Sequence, residues 1–257
     1  MDLQLRCRTV LVPGATSGLG LATAGLFAEE GARVVLAGRR AEVAESEAAR
    51  LPEAVGLGVD LTAPDGPDRL VDAAEQAFGP VDVLVLNGGG PPPRAAADVS
   101  PEQMQAALDS MLLAQQRLVR RVLPGMRERG WGRIVAIGSS GIQQPLPQLA
   151  LSNAARSALA AWLKTLAAEV ATDGVTVNMV LPGRIDTGRV AALDRAAAER
   201  TGRDVETVRV ASEAAIPAGR YGTPEEFAAA VVFLASGPAS YLTGEQLRCD
   251  GGMVRSC

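Results

Sequence analysis

The sequence has no histidine and only one lysine, Lys164, against 24 arginines. Without imidazole there are no histidine metal ligands, no Ser-His or Cys-His nucleophile pairs, and no general base of the commonest kind. Cysteine is nearly as scarce. Cys7, Cys249 and Cys257 are an odd number set far apart, which fits neither a disulfide framework nor a zinc cluster and suits a reducing cytoplasm. No apolar run approaches the ~18 residues of a membrane span, and the charged segment 1–8 leads straight into a strand with no signal peptide. A net charge of −4 leaves no electrostatic footprint for nucleic acid or anionic lipid. These absences predict a soluble, cytoplasmic protein without a metal site, whose partner is a small molecule.

What is present is alternation. In a chain of 257 residues, long enough for one large α/β domain, short β-branched runs alternate with longer helical stretches rich in alanine and leucine. Strands are expected at 9–12, 33–37, 54–59, 81–86, 133–137, 176–181 and 245–249, and helices at 19–30, 41–50, 66–78, 101–129, 149–171 and 224–234. Strands that are apolar continuously belong to a parallel sheet covered on both faces, and right-handed crossovers then give a doubly wound sheet of about seven strands. No linker splits residues 1–257, so one domain is expected. Residues 188–217 form an insertion with helical stretches at 189–200 and 204–214, which reads either as a lid over a ligand crevice or as a solvated hairpin.

The segment Pro13-Gly14-Ala15-Thr16-Ser17-Gly18-Leu19-Gly20 lies between the first strand and the first helix. Its glycines allow a sharp turn and close approach to a pyrophosphate, while the helix N-terminus supplies amide donors. At the end of the second strand, Arg39 and Arg40 stand where an NAD site would place an acidic residue for the ribose 2′-hydroxyl. Two guanidinium groups there suit a 2′-phosphate, and NADP(H) over NAD, unless both are simply solvated.

The pattern as a whole resembles the short-chain dehydrogenase/reductase family. Gly14, Gly18 and Gly20 match its glycine turn, with Pro13 in place of threonine. Asp60, followed by Leu61, matches its adenine-contacting acid. Asn87-Gly88-Gly89 is similar to its N-A-G signature, and Ser139 falls at its catalytic serine. Pro182-Gly183-Arg184-Ile185-Asp186-Thr187 matches P-G-x-x-x-T, the segment that holds the carboxamide. The resemblance implies a Rossmann-type fold, a nicotinamide cofactor along these segments with Thr16, Ser17, Leu19 and Ile185, and a homodimer or homotetramer.

The family's chemistry is not carried over intact. Its tyrosine position is Ser152, its lysine position Arg156 and its asparagine position Met111, so only Ser139 of the tetrad remains. Ser152 is a far weaker acid than a phenol, and a permanently charged arginine cannot replace lysine in a proton relay, although it can still hold the ribose. The two tyrosines, Tyr221 and Tyr241, fall at positions the family uses structurally. Asp186 and Glu213 are the remaining carboxyl candidates, and Asn153 and Ser140 are polar neighbours. Ser139 reads either as an oxyanion donor or as a cap on local backbone. Losing a positioned acid–base group costs about 10²–10⁴ in rate, which slows hydride transfer without excluding it. Three readings follow. The first is an oxidoreductase acting on a small carbonyl, hydroxyl or activated double bond, with Ser139, Ser152 and Arg156 at the reacting centre and atypical proton transfer. The others are a non-redox cyclase, dehydratase or isomerase, and a silent cofactor-binding partner.

Overall fold

A computed structural model describes residues 1–255, so Cys257 lies outside the described residues. All seven expected strands are present: β1 (Thr9–Pro13), β2 (Arg33–Gly38), β3 (Ala54–Gly58), β4 (Val83–Leu86), β5 (Gly132–Ile137), β6 (Val175–Pro182) and β7 (Gln246–Cys249). They form one parallel sheet in the order β3-β2-β1-β4-β5-β6-β7. Successive strand residues point to opposite faces. In β1, Leu11 enters one core while Val10 and Val12 enter the other, and in β5 Ile134 and Ala136 oppose Val135 and Ile137. This is why the central strands are apolar at every position.

Helices α1 (Gly18–Glu29), α2 (Ala41–Ala48) and α9 (Pro224–Leu234) contribute buried residues to one core. Helices α3 (Gly66–Phe78), α5 (Ala114–Glu128) and α6 (Ala150–Val170) contribute to the other. Leu159, Leu163 and Leu166, the apolar stripe of α6, are buried there against the chain's own sheet.

The expected single helix over 101–129 requires correction. It is three pieces: α4 (Pro101–Leu108), a π-helical turn (Asp109–Leu113) and α5. The π turn contains Met111, which packs with Ala107 against Leu151 and Ala155 of α6. One wide turn leaves hydrophobic periodicity intact on either side, so sequence pattern does not reveal it.

The order of the sheet reverses between β1 and β4, and an α/β sheet binds ligands at the carboxyl ends of its strands at such a switch point. A polar bridge holds the two loops there. The Asn87 side-chain amide, just beyond β4, donates to the carbonyl of Pro13 at 3.1 Å and to that of Gly14 at 3.0 Å. Gly14 has φ +62°, and a Cβ on Gly20 would lie 2.4 Å from the Gly14 oxygen and 2.6 Å from the Asn87 amide nitrogen.

The insertion contains α7 (Gly188–Thr201) and α8 (Val205–Ala214). Buried Asp194 of α7 accepts from Arg184 at 2.8 Å and from the Tyr221 hydroxyl at 3.0 Å. From α8, Arg209 pairs with Asp186 and Glu213 and lies over the Tyr221 ring. These contacts tie both helices to the segment after β6.

Two predictions follow from these contacts. Gly20→Ala forces backbone apart and should destabilise by about 1–3 kcal/mol, several degrees in the thermal midpoint. Gly25→Ala, five residues on in the same helix with nothing within 4 Å of the new Cβ, should stabilise by about 0.5–1 kcal/mol. Burial raises the Tyr221 hydroxyl above its usual value near 10. Its bond to Asp194 therefore contributes fully below pH 10 and is lost as pH rises through the higher folded value. The stability difference between wild type and Tyr221→Phe, about 1–3 kcal/mol at neutral pH, should shrink in denaturant titrations above pH 10.

Candidate active site

A cavity of about 800 Å³ opens at the switch point. Its floor is the glycine turn: Gly14, Ser17, Gly18, Leu19 and Gly20 line it, facing Asn87, Gly88 and Gly89 from the β4 loop. Ser17 is the residue before α1 and its side chain does not cap that helix, so the first amides of α1 remain available to an anion. Pro182, Gly183, Ile185 and Thr187 form another wall. A Cβ on Gly18 would sit 3.6 Å from the Thr187 methyl, so the two segments meet above the turn.

Ser139, Ser152 and Arg156 all reach this cavity. Ser139 follows β5, and its Oγ accepts from the Gly141 amide at 3.1 Å. Accepting with a lone pair leaves its own proton free to donate. Ser152 lies on the first turn of α6 and is 9% exposed. One turn later, Arg156 donates to the Ile137 carbonyl at 2.6 Å. Burial, with a further contribution from the charge of Arg189, pushes the Arg156 guanidinium down to about 10, so it stays a cation at neutral pH.

Beneath Arg156 is a second, water-sized space of about 10 Å³ bordered by Met111, Ser110 and Gln115. The buried Gln115 Oε1 has no hydrogen-bond partner there. A polar void of that size is large enough for a single water.

Five other expected cofactor residues lie off this cavity. Thr16 packs against Gly38 at the end of β2. Arg39 and Arg40 follow that strand and are exposed. Asp60 lies beyond β3, where two hydrogen bonds from Thr62 and the nearby Arg39 charge hold its carboxyl below the usual range. Leu61 is partly buried against the core. Together they mark the β2–β3 end of the same carboxyl edge.

Of the alternative polar groups, Ser140 lines the cavity and the others lie elsewhere. Tyr241 is 99% exposed, while Tyr221 is buried on Asp194. Asp186 and Glu213 are held by Arg209. Asn153 donates to the Leu146 carbonyl at 2.9 Å and so fixes the loop before α6, and Ser140 is buried beside Ser139. Among the described residues no Asp, Glu, Lys, Tyr or Cys lines the cavity. Among the described residues no group of side chains could hold a metal ion.

Arg189 and Leu193 line the cavity, whereas Val210 is exposed on α8 and does not. Ala196, Ala197 and Arg200 of α7, and Leu146, Pro147 and Leu149 of the loop before α6, line it unanticipated. The α7 positions 189, 193, 196, 197 and 200 share one face of the helix, but their spacing alone does not say that this face turns inward.

Comparison with known proteins agrees with this geometry. The family model described as enoyl-(acyl carrier protein) reductase matches residues 14–254. A 3-oxoacyl-[acyl-carrier-protein] reductase of Vibrio cholerae is 35% identical over 98% of this chain and 99% of its own. A putative ketoacyl reductase of the monensin polyketide synthase from Streptomyces virginiae is 35% identical over 97% and 98%. L-Sorbose reductase from Gluconobacter frateurii, solved with NADPH and L-sorbose, superposes with a TM-score of 0.94 at 32% identity over the full length of both chains. An actinorhodin polyketide ketoreductase solved with NADPH gives 0.92 at 34% identity, over 96% of this chain and 97% of its own. The glycine turn at the switch point, the β4 asparagine that braces it and full-length similarity to these reductases place the chain in the short-chain dehydrogenase/reductase family.

Proposed function

We propose that this oxidoreductase uses NADP(H) to interconvert a small carbonyl compound and its alcohol, or to reduce an activated double bond, without a protein-borne proton donor of ordinary strength. The observation that carries this reading is the continuity of one cavity from the glycine turn, too tight for a Cβ at Gly20, to Ser139, Ser152 and Arg156. These residues fit a dinucleotide. The turn and the amides of α1 would hold the pyrophosphate, Asp60 the adenine end, Arg39 and Arg40 the 2′-phosphate, and Asn87 with Ile185 and Thr187 the nicotinamide half. When bound, NADPH supplies the hydride that reaches the substrate carbon, and one proton must reach the oxygen.

The Ser139 hydroxyl, already accepting from Gly141, would donate to that oxygen, with the Ser152 hydroxyl beside it. Arg156 would keep its charge at the ribose and stabilise the developing alkoxide. The proton itself would come from water or from the substrate. Helix α7 would cover the cleft as a lid, with the protein acting in the cytoplasm as a homodimer or homotetramer.

The lining favours redox chemistry over the non-redox alternative. A dehydratase or isomerase depends on a group that titrates near neutral pH, and this wall offers only arginines. Hydride transfer tolerates the lack better, because holding donor and acceptor together is worth ~7–11 kcal/mol.

The main test is NADPH consumption, followed at 340 nm against a panel of ketones and enones. Wild type should turn over slowly, with kcat/KM nearly flat between about pH 6 and 9, as expected when no cavity group titrates there. The double variant Ser152→Tyr with Arg156→Lys should gain about 10²–10⁴ in kcat and acquire a pH dependence. NADPH binding with no turnover by either form would identify a silent cofactor-binding protein instead. Arg39→Gln and Arg40→Gln should each weaken NADPH by about tenfold in calorimetry and leave NADH unchanged. Equal losses for both coenzymes would remove the 2′-phosphate role.

A further inference from the structure

Helix α7 presents a regular face to the cavity: Arg189, Leu193, Ala196, Ala197 and Arg200. The two arginines are eleven residues apart, three turns, or about 16 Å at 1.5 Å per residue. The near end is fixed at the cofactor cradle, where Thr187 meets Gly18 and Arg189 donates to the Pro91 carbonyl at 2.9 Å. Arg200 marks the far end, and the helix surface between them is small and apolar.

The charges of this cavity are one-sided. Among the described residues four arginines line it and no carboxylate does. Arg184 is neutralised by Asp194, but among the described residues no carboxylate lies within ion-pair distance of Arg156, Arg189 or Arg200. Asp186, before the insertion, and Glu213, within it, are held by Arg209. The anionic groups of NADP(H) have their own partners, the α1 amides and Arg39 with Arg40, so they leave the far arginine unexplained. A position in the last turn of α7 favours a cation through the helix dipole. That accounts for the charge of Arg200 and not for its facing the cavity.

We propose that the substrate is a keto acid or the corresponding hydroxy acid. Its carbonyl lies at Ser139 and Ser152, its apolar chain runs along Leu193, Ala196 and Ala197, and its carboxylate is bound by Arg200. This rests on the reductase reading above and adds the substrate class. Guanidinium binds carboxylate through paired hydrogen bonds, so the esters of the same acids lose the contact.

The probes are levulinate, 7-oxooctanoate and their methyl esters, measured in two ways. The first is binding to protein saturated with NADP⁺, by calorimetry without turnover, and the second is NADPH oxidation at 340 nm. The longer acid should bind at least about tenfold more tightly than its ester, with a smaller preference for levulinate. Arg200→Gln should abolish the preference, Arg200→Lys should restore part of it, and NADPH affinity should be the same in all three proteins. Equal binding of acid and ester, a preference that survives Arg200→Gln, binding of neither, or a parallel loss of NADPH affinity would each overturn the proposal. Ketone reduction without an acid preference leaves the reductase reading standing alone. Arg200-dependent binding of the acid with no NADPH oxidation would remove the reductase reading and leave the acid site.

Discussion

The structure at this site depends on one side-chain amide. Asn87 donates to two consecutive carbonyls, those of Pro13 and Gly14, across the point where the sheet reverses order. Those bonds join the two loops just beyond the end of the β1–β4 ladder. With them, the turn before α1 is closed so tightly that Gly20 has space for hydrogen alone. The amides of α1 are thereby aimed at a fixed place, and everything farther along the cavity is positioned relative to it. The same constraint explains why the glycine spacing is informative: each glycine answers a different steric demand, a left-handed φ at Gly14 and Gly18 and a close backbone approach at Gly20.

At the other end of the cavity, the groups proposed to face the substrate share one property. Ser152 and Arg156 occupy adjacent turns of α6, facing the same space. Met111 has become part of a packed apolar contact between the π turn and α6. A proton relay needs groups that both release and accept near neutral pH. A methionine thioether, an aliphatic hydroxyl and a guanidinium lowered only to about 10 provide none. Such a site can still orient a substrate and stabilise negative charge on its oxygen, and those roles require no titration.

The sheet was legible because burial on both faces makes strand residues apolar without interruption, and the cradle because glycine is demanded at fixed offsets. Helices α3 and α9 were bounded by sequence cues that the fold uses, Pro67 and Pro224 in their first turns. The π turn was not legible, since one widened turn perturbs no periodicity beyond itself. Which face of the insertion turns inward was also hidden. Arg189 and Arg200 lie on a mixed helix whose rotation is set by its buried residues Val190, Asp194 and Ala198, with Asp194 held by Arg184 and Tyr221. Val210 illustrates the converse: an apolar residue in α8, a helix with no buried residue, is left in solvent. The bonds that orient α7 join residues far apart in sequence, and no local pattern encodes them.

Arg156 shows how composition and chemistry can be separated. In a chain with 24 arginines and one lysine, arginine at a lysine position is expected from composition alone. Composition does not explain its surroundings. Its guanidinium is buried, bonded to the Ile137 carbonyl, and close enough to Arg189 to feel its charge, with no carboxylate on the wall to offset either. Arg156 is desolvated while Arg189 is exposed, and the like charge of Arg189 adds to the cost of burying Arg156, a cost that an anion entering the cavity offsets. The strain is lowest when the cavity is occupied by negative charge, whether the phosphates of the coenzyme at its floor or an acid beneath α7. The replacement of lysine therefore alters more than proton transfer. It leaves a cation at neutral pH where the resemblance places a lysine, and that charge is lost only as pH rises through about 10.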